Sequence, residues 1–249
     1  VGLLTHLARD RRGLKVIEHL QESGVRVLDE SLHATSTSTA VATIAPDGQA
    51  DYEFDLEWAV RVPSDGNPRV IHTGSIAAFL EPGAAAVRDI LRATDARDIT
   101  FDPNIRPALI GRHEDAFPVF EDTARLATVV KLSDQDAEWL YPGVAPDLVL
   151  DAIMELGPRL AAITLGSEGA ILVTPEDRVW IPAITVPTVD TIGAGDTFMS
   201  ALIHAILLSG SERLEREALE RIGHDAAAAA AITVSRAGAD LPWASELTA

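Results

Sequence analysis

From Pro63 onward the chain alternates short apolar runs with amphipathic stretches of helical period, and this alternation limits its fold more than any other feature. "RVIHTGSIAAF" reads as strand then loop, "GAAAVRDILRAT" as helix, "DITFDPNIRP" as strand then turn, "AFPVFEDTARLAT" as helix and "VVKLS" as strand. Helices "DQDAEWLY" and "DLVLDAIMELG", strands "LAAITLG" and "AILVTP", and two helices around Ala201 and Ala228 complete the series. Parallel neighbours cannot be joined by a tight turn, so each strand needs a crossover, and the crossover helices cover the sheet. We therefore expect an α/β fold, a doubly wound and mostly parallel sheet, with ligands bound beyond the carboxyl ends of its strands.

The first quarter of the chain follows other rules. Between Gly13 and Ser23, Leu14, Ile17 and Leu20 fall on one helical face, Gly24 supplies a stop, and the chain runs on into "VRVLDE". From Thr37 to Trp58 the period is two: "STAVATIA", a turn at "PDGQ", then "ADYEFDLEWAV". Tyr52, Phe54, Leu56 and Trp58 share one face and Asp51, Glu53, Asp55 and Glu57 the other, the pattern of a β-hairpin with one wet face. The expected division is one α/β domain from residues 1–34 and 63–249, with a small β segment at 35–62. The chain has no initiator Met and opens on the apolar "VGLLTHLARDRRG", so we expect a segment upstream of Val1.

With 249 residues, 47% hydrophobic and 23% charged, such a chain can bury one large core with a small appendage. A net charge of -18 argues against a nucleic-acid or anionic-membrane partner, because a phosphate surface would be repelled over most of the protein. The absence of Cys rules out disulfides, thiolate metal sites and Cys nucleophiles, and it fits a reducing compartment. No run approaches the roughly eighteen uninterrupted apolar residues of a membrane span, and no basic-then-apolar leader is present. The expected location is the cytoplasm.

Four short stretches carry candidate chemistry. In "DTIGAGDTF", Gly193, Ala194 and Gly195 leave their amides open at the start of an apolar helix, a turn suited to an anion, and Asp196 follows as a potential general base. A Gly-hinged helix start with an ordinary first-turn acid satisfies the same residues. In "ITLGSEGA", Gly166, Ser167 and Gly169 form a turn at a sheet edge, either a phosphate loop or a plain β-turn; no Walker A pattern is present. "FDPNIRP" offers Asn104 for hydroxyl recognition and Arg106 for an anionic group, unless Arg106 is simply a solvated charge. "VVKLSDQDAEW" places Ser133 as helix N-cap and Asp136 at the capping-box position. The seven His residues show no metal-binding spacing; His72 lies at a strand end where it can line a pocket, and His204 reads as a core residue. No Gly-x-Ser-x-Gly elbow appears.

Taken in order, these stretches resemble the ribokinase-like (PfkB) family of carbohydrate kinases over essentially the whole chain. "DTIGAGDTF" is similar to the family's C-terminal signature, "ITLGSEGA" to its nucleotide loop, "FDPNIRP" and "VVKLSDQDAEWL" to its fructokinase and ketodeoxygluconate-kinase branch, and "ITVSRAGA" to the segment closing over adenine. "LARDRRG" is similar to the family's G-x-D-x-x-G, with Ala8 in place of the first Gly. The resemblance implies a doubly wound sheet with a small β lid, and transfer of the γ-phosphoryl group of ATP to a sugar hydroxyl. The sugar would be fructose, with 2-keto-3-deoxygluconate or another sugar or nucleoside as alternatives; a non-catalytic sugar or nucleotide sensor is the rival from another class.

On the same resemblance Asp196 is the catalytic base, with the amides of Gly193, Ala194 and Gly195 as its anion hole. Ser133, Thr164, Leu165, Gly166, Ser167, Glu168, Gly169, Ala227 and Gly238 fall to ATP, and Gly74, Ser75, Asn104 and Arg106 to the sugar. Asp136 stands, with Ser133, where the family's N-x-x-E organises water around Mg2+; Ala227 stands where many relatives have Asn. Asp190 and the backbone of Ile192 occupy positions that bind a monovalent cation, K+, in many members. The lid implies a homodimer.

Overall fold

The computed structural model describes residues 1–44, 50–63 and 66–247, and it divides into two compact units. The first comprises residues 1–66 and 80–93. It contains strand β1 (Gly2–Leu3), helix α1 (Arg11–Glu22), strands β2 (Arg26–Val27), β3 (Thr39–Ile44) and β4 (Ala50–Asp55), and helix α2 (Gly83–Ala93). β1 and β2 pair in parallel. β3 and β4 form the expected antiparallel hairpin, from Thr39 opposite Asp55 to Ile44 opposite Ala50; its turn at Pro46–Gln49 and the side chain of Tyr52 lie outside the described residues.

Two expectations for this unit need correction. α1 forms where the helical period places it, yet Leu14 is 52% exposed and only Gly13 is buried. The helix is held by its first turn: Asp10 accepts bonds from the amides of Gly13 (2.8 Å) and Thr37 (2.9 Å) and from the Thr37 hydroxyl (2.8 Å). Gly13 is required there, since a Cβ would stand 1.9 Å from the Ala8 carbonyl oxygen. The second correction concerns the apolar stripe of the hairpin. β4 ends at Asp55, so Leu56 and Trp58 lie beyond it. Trp58 instead lies against bare Gly83 at the start of α2, where a Cβ would come within 2.3 Å of its indole, and its carbonyl accepts the Gly83 amide (2.9 Å).

The second unit comprises residues 67–79 and 94–249. Its elements are β5 (Val70–Gly74), β6 (Asp98–Asp102), α3 (Pro107–Ile110), α4 (His113–Ala124), β7 (Val129–Ser133), α5 (Asp134–Leu140), α6 (Pro146–Glu155), β8 (Leu160–Thr164), β9 (Ala170–Val173), β10 (Arg178–Ile181), α7 (Ala194–Ser209) and α8 (Arg216–Val234). The sheet runs in the order β5-β6-β7-β8-β9-β10; β5 to β8 are parallel, and β9 and β10 are added as antiparallel neighbours. β10 has no counterpart in the sequence reading.

Helices cover both faces, as the alternation requires. Phe101 and Leu132 point to the side of α4, α5 and α6, with Phe101 and Phe120 ring centroids 5.9 Å apart. Val129, Leu160, Ala162, Leu172 and Ile181 face α7 and α8, where Phe198, Met199, Leu202 and Ile206 complete the main core. Because side chains alternate along a strand, Lys131 shares the α7 face with Val129, and the register aligns Thr100 and His72 with Val129 on that face. His204, expected in the core, is exposed: α7 buries only the stripe through Thr197, Phe198, Met199, Leu202 and Ile206, and His204 falls on the opposite side.

Candidate active site

Every stretch singled out by the sequence, apart from those in the first unit, meets at or beside the carboxyl edge of the parallel strands. β5 ends at Gly74, opposite Asp102 at the end of β6, and β7 ends at Ser133, opposite Thr164 at the end of β8. The β5 and β6 ends are crowded: a Cβ on Gly74 would stand 2.0 Å from the Asp102 carbonyl oxygen. Just past them, Ser75 (φ 51) and Asn104 (φ 39) hold left-handed backbone, a costly state for residues other than Gly that clusters at functional sites.

The turn after Asn104 is fixed from the start of α5. Asp136 Oδ1 accepts the Ile105 amide (2.7 Å), while Oδ2 accepts the Ser133 amide (2.9 Å) and hydroxyl (2.7 Å). The Ser133 hydroxyl in turn accepts the Asp136 amide (3.0 Å), so the capping box is complete. Both Asp136 oxygens are thereby engaged. Arg106 donates from Nη1 to the Ile105 carbonyl (3.0 Å) and remains exposed.

Thr164 leads into Leu165, whose amide bonds the Gly169 carbonyl (2.7 Å), and the 3-10 turn Gly166–Glu168 is exposed between them. Gly169 (φ 103) must be Gly, because a Cβ would meet the Ile181 carbonyl oxygen at 2.0 Å.

α7 begins at Ala194, with Gly193 (φ 83) as a left-handed cap. Asp196 thus lies in the first turn and is exposed, beside amides with no helical acceptor. Thr197 anchors the turn: its hydroxyl donates to the Gly193 carbonyl (2.9 Å) and pairs with Thr233 on α8 (2.8 Å). Asp190 receives the amides of Ile192 (3.0 Å) and Gly238 (3.0 Å), which hold its carboxyl below the usual range. Ala227 lies half-buried on α8.

Under this turn lie three groups that the motifs do not mark as a set. Lys131 Nζ pairs with Asp102 Oδ2 at 2.8 Å, both side chains being about 95% buried. Asp102 is pushed upward by burial, with Lys131 opposing and the charges of Asp136 and Asp196 adding to the rise. His72 Nδ1 lies 3.0 Å from the Thr100 hydroxyl; desolvation lowers its pKa to about 4, helped by the Lys131 ammonium and against the pull of Asp196. The ring is neutral at pH 7. A Lys at an inward position of an apolar strand demands a buried counter-ion, and that is the signal by which the sequence could have revealed the pair.

Among the described residues no group of three or more His, Asp or Glu side chains forms a metal cage. A divalent ion at this edge therefore fits only as one held mainly by phosphate oxygens and water, which is how Mg2+ is commonly bound. The amides of the α7 start suit the phosphates themselves.

A mostly parallel sheet with helices on both faces, and with its loops and the start of α7 gathered at the carboxyl ends of its strands, makes this a doubly wound α/β protein. The chain belongs to the pfkB family of carbohydrate kinases, whose family model matches residues 1–246. A fructokinase of Rhizobium leguminosarum bv. trifolii is 30% identical over 214 residues, covering 82% of this chain and 65% of that protein. Fructokinase-1 of Oryza sativa subsp. japonica is 30% identical over 216 residues, covering 82% of this chain and 67% of its own. The chain thus spans about two thirds of the length of these relatives. The solved fructokinase from Vibrio cholerae O395, in fructose-, ADP- and calcium-ion-bound form, superposes with a TM-score of 0.81 at 22% identity, covering 99% of this chain and 84% of that one. Aminoimidazole riboside kinase from Salmonella enterica, complexed with aminoimidazole riboside and an ATP analog, gives a TM-score of 0.80 at 24% identity, covering 99% and 84%. The fold is ribokinase-like.

Proposed function

We propose that the protein is an ATP-dependent sugar kinase of fructokinase type. The observation that carries this reading is Asp196 in the first turn of α7, directly after the Gly193–Gly195 amides and at the open edge of the sheet. A carboxylate there accepts the proton of a sugar hydroxyl as its oxygen attacks the γ-phosphorus of ATP and the bond to the ADP oxygen breaks. The amides of Gly193, Ala194 and Gly195 receive the charge on the transferred group. The exposed turn Gly166–Glu168, with Thr164, Leu165 and Gly169 around it, lies where ATP phosphates would be held, and Ala227 and Gly238 flank the nucleotide. Gly74, Ser75, Asn104 and Arg106 line the sugar side. Mg2+ bound to the phosphates would neutralise their charge; Ser133 and Asp136 would order its water only through the lone pairs that the capping box and the Ile105 amide leave over, and Asp190 with the Ile192 carbonyl would hold K+.

A second reading rests on Arg106. Its guanidinium spends one nitrogen on turn carbonyls and keeps its outer face in solvent, which suits a sugar acid such as 2-keto-3-deoxygluconate. We place the reaction in the cytoplasm, which supplies ATP, and propose a homodimer formed through the β3–β4 hairpin.

ADP release measured over fructose, ribose, 2-keto-3-deoxygluconate and nucleosides tests these readings together. Fructose should give the highest kcat/KM. A higher value for the sugar acid favours the second reading, and no ADP release with any acceptor, alongside calorimetric binding of sugar or nucleotide, leaves a sensor.

A further inference from the structure

Lys131 is the one charged residue of β7, and its ammonium is buried against Asp102. Such a pair is a poor way to stabilise a core: desolvation offsets most of the attraction, and neutral side chains of similar volume often serve as well or better. Its position suggests another use. Apart from its chain neighbours and the backbone of its own helix, a Cβ built on Gly195 would find a single neighbour within 4 Å, Lys131 Nζ at 3.1 Å. The ammonium therefore lies against the bare Cα of the turn that precedes Asp196, while Asp102, bonded to the same ammonium, stays outside that 4 Å shell. Asp102 Oδ1 is buried with no hydrogen-bond partner, so the carboxylate is held through the ammonium alone.

We propose that Lys131, anchored by Asp102, is a positioning residue for phosphoryl transfer: its ammonium supports the Gly193–Gly195 turn from beneath and sets a fixed positive charge under the amides that receive the transferred group. This deepens the kinase reading and rests on it. The pair is neutral as a whole but presents its positive end to the turn, where low dielectric preserves its field. Among the described residues, His72 on β5, neutral at pH 7, feels the charge of Asp196, and Asp136 on α5, committed to the capping box, acts with Asp196 on Asp102. Arg236, on the segment after α8, spends its guanidinium on Asp240 and Glu246. Lys131 is thus the cation assigned to this turn.

Two variants separate positioning from bulk stability. Asp102→Asn keeps the ammonium but removes its counter-charge, and the double variant Lys131→Met/Asp102→Asn removes both charges while preserving volume. ADP release is followed against pH with the preferred sugar, and the carboxyl titrations of the same proteins are followed by NMR with 13C-labelled aspartate. In the double variant kcat should fall by about tenfold to hundredfold, less than the loss of a direct oxyanion donor, with sugar KM within about twofold of the parent. Its acid limb, and the Asp196 carboxyl titration, should move up by about one pH unit, while Asp102→Asn moves both down. A purely structural pair would shift neither. Unmoved limbs and titrations, shifts in one common direction, or loss of fold in both variants would overturn the proposal. If the parent itself turns over no sugar, the kinase reading fails, and the opposed carboxyl titrations still decide the role of Lys131.

Discussion

Asp196 is exposed in the first turn of α7, beside amides that have no helical acceptor. A neutral amide of the same shape keeps the turn but cannot take a proton. Asp196→Asn should therefore leave circular dichroism and ATP affinity nearly unchanged and lower kcat by about 10²- to 10⁴-fold, the usual contribution of a general base. Steady-state kinetics with calorimetric ATP titration check it; parent-like turnover would remove Asp196 from the chemistry. Ser75 and Asn104 belong to the same scale. Each holds a left-handed backbone at the end of a strand, and Asp136 secures the second by gripping the Ile105 amide. The motif residues were legible in the sequence because Gly-Ala-Gly-Asp and Asn-x-Arg are local patterns. Lys131 and Asp102 were not, because their meeting depends on the register of β6 against β7 and on the face they share with α7.

At the scale of elements, the parallel strands and their helices were readable because buried parallel strands are apolar runs separated by helical periods. β10 escaped because its four residues carry only two inward positions, Val179 and Ile181, too few repeats of a period of two to stand out beside the 53%-exposed Trp180. α1 was found, but its apolar residues misled: the helix owes its place to the Asp10 cap and to the close approach of Gly13 to Ala8. That cap has a pH signature. The Gly13 amide first, then the Thr37 amide and hydroxyl, lower the Asp10 pKa from 3.8 to about 2. A folded-state value below the unfolded one contributes stability that is present above pH 4 and lost as pH falls toward 2. Asp10→Asn retains a capping oxygen but has no carboxyl to protonate in that window. Its melting temperature should therefore fall less than the parent's between pH 5 and pH 3, as thermal melts at the two pH values would show; parallel losses would mean that the cap carries no linkage.

At the scale of the whole molecule two features oppose each other. A charge of -18 makes any two copies repel, yet the hairpin keeps Phe54 41% exposed, opposite Ala40 on the neighbouring strand. An aromatic side chain on the face of a two-stranded sheet gains most by burial, because such a ribbon is too small to own a core. Pairing of two hairpins across that face would supply the burial. The repulsion between two strongly acidic copies is long-ranged and screened by salt, whereas the apolar contact is not weakened by it. Association should therefore strengthen from low to near-physiological ionic strength, the reverse of a dimer held by opposite charges. Phe54→Asp places a charge in the proposed contact and should shift the sedimentation coefficient toward the monomer at every salt concentration, while ATP affinity stays within about twofold, because the α7 turn belongs to the other unit. Sedimentation velocity across a salt series, on parent and variant, decides it: a variant as dimeric as the parent would take the hairpin out of the interface, and a parent dimer that loosens as salt rises would replace the apolar contact with an ionic one.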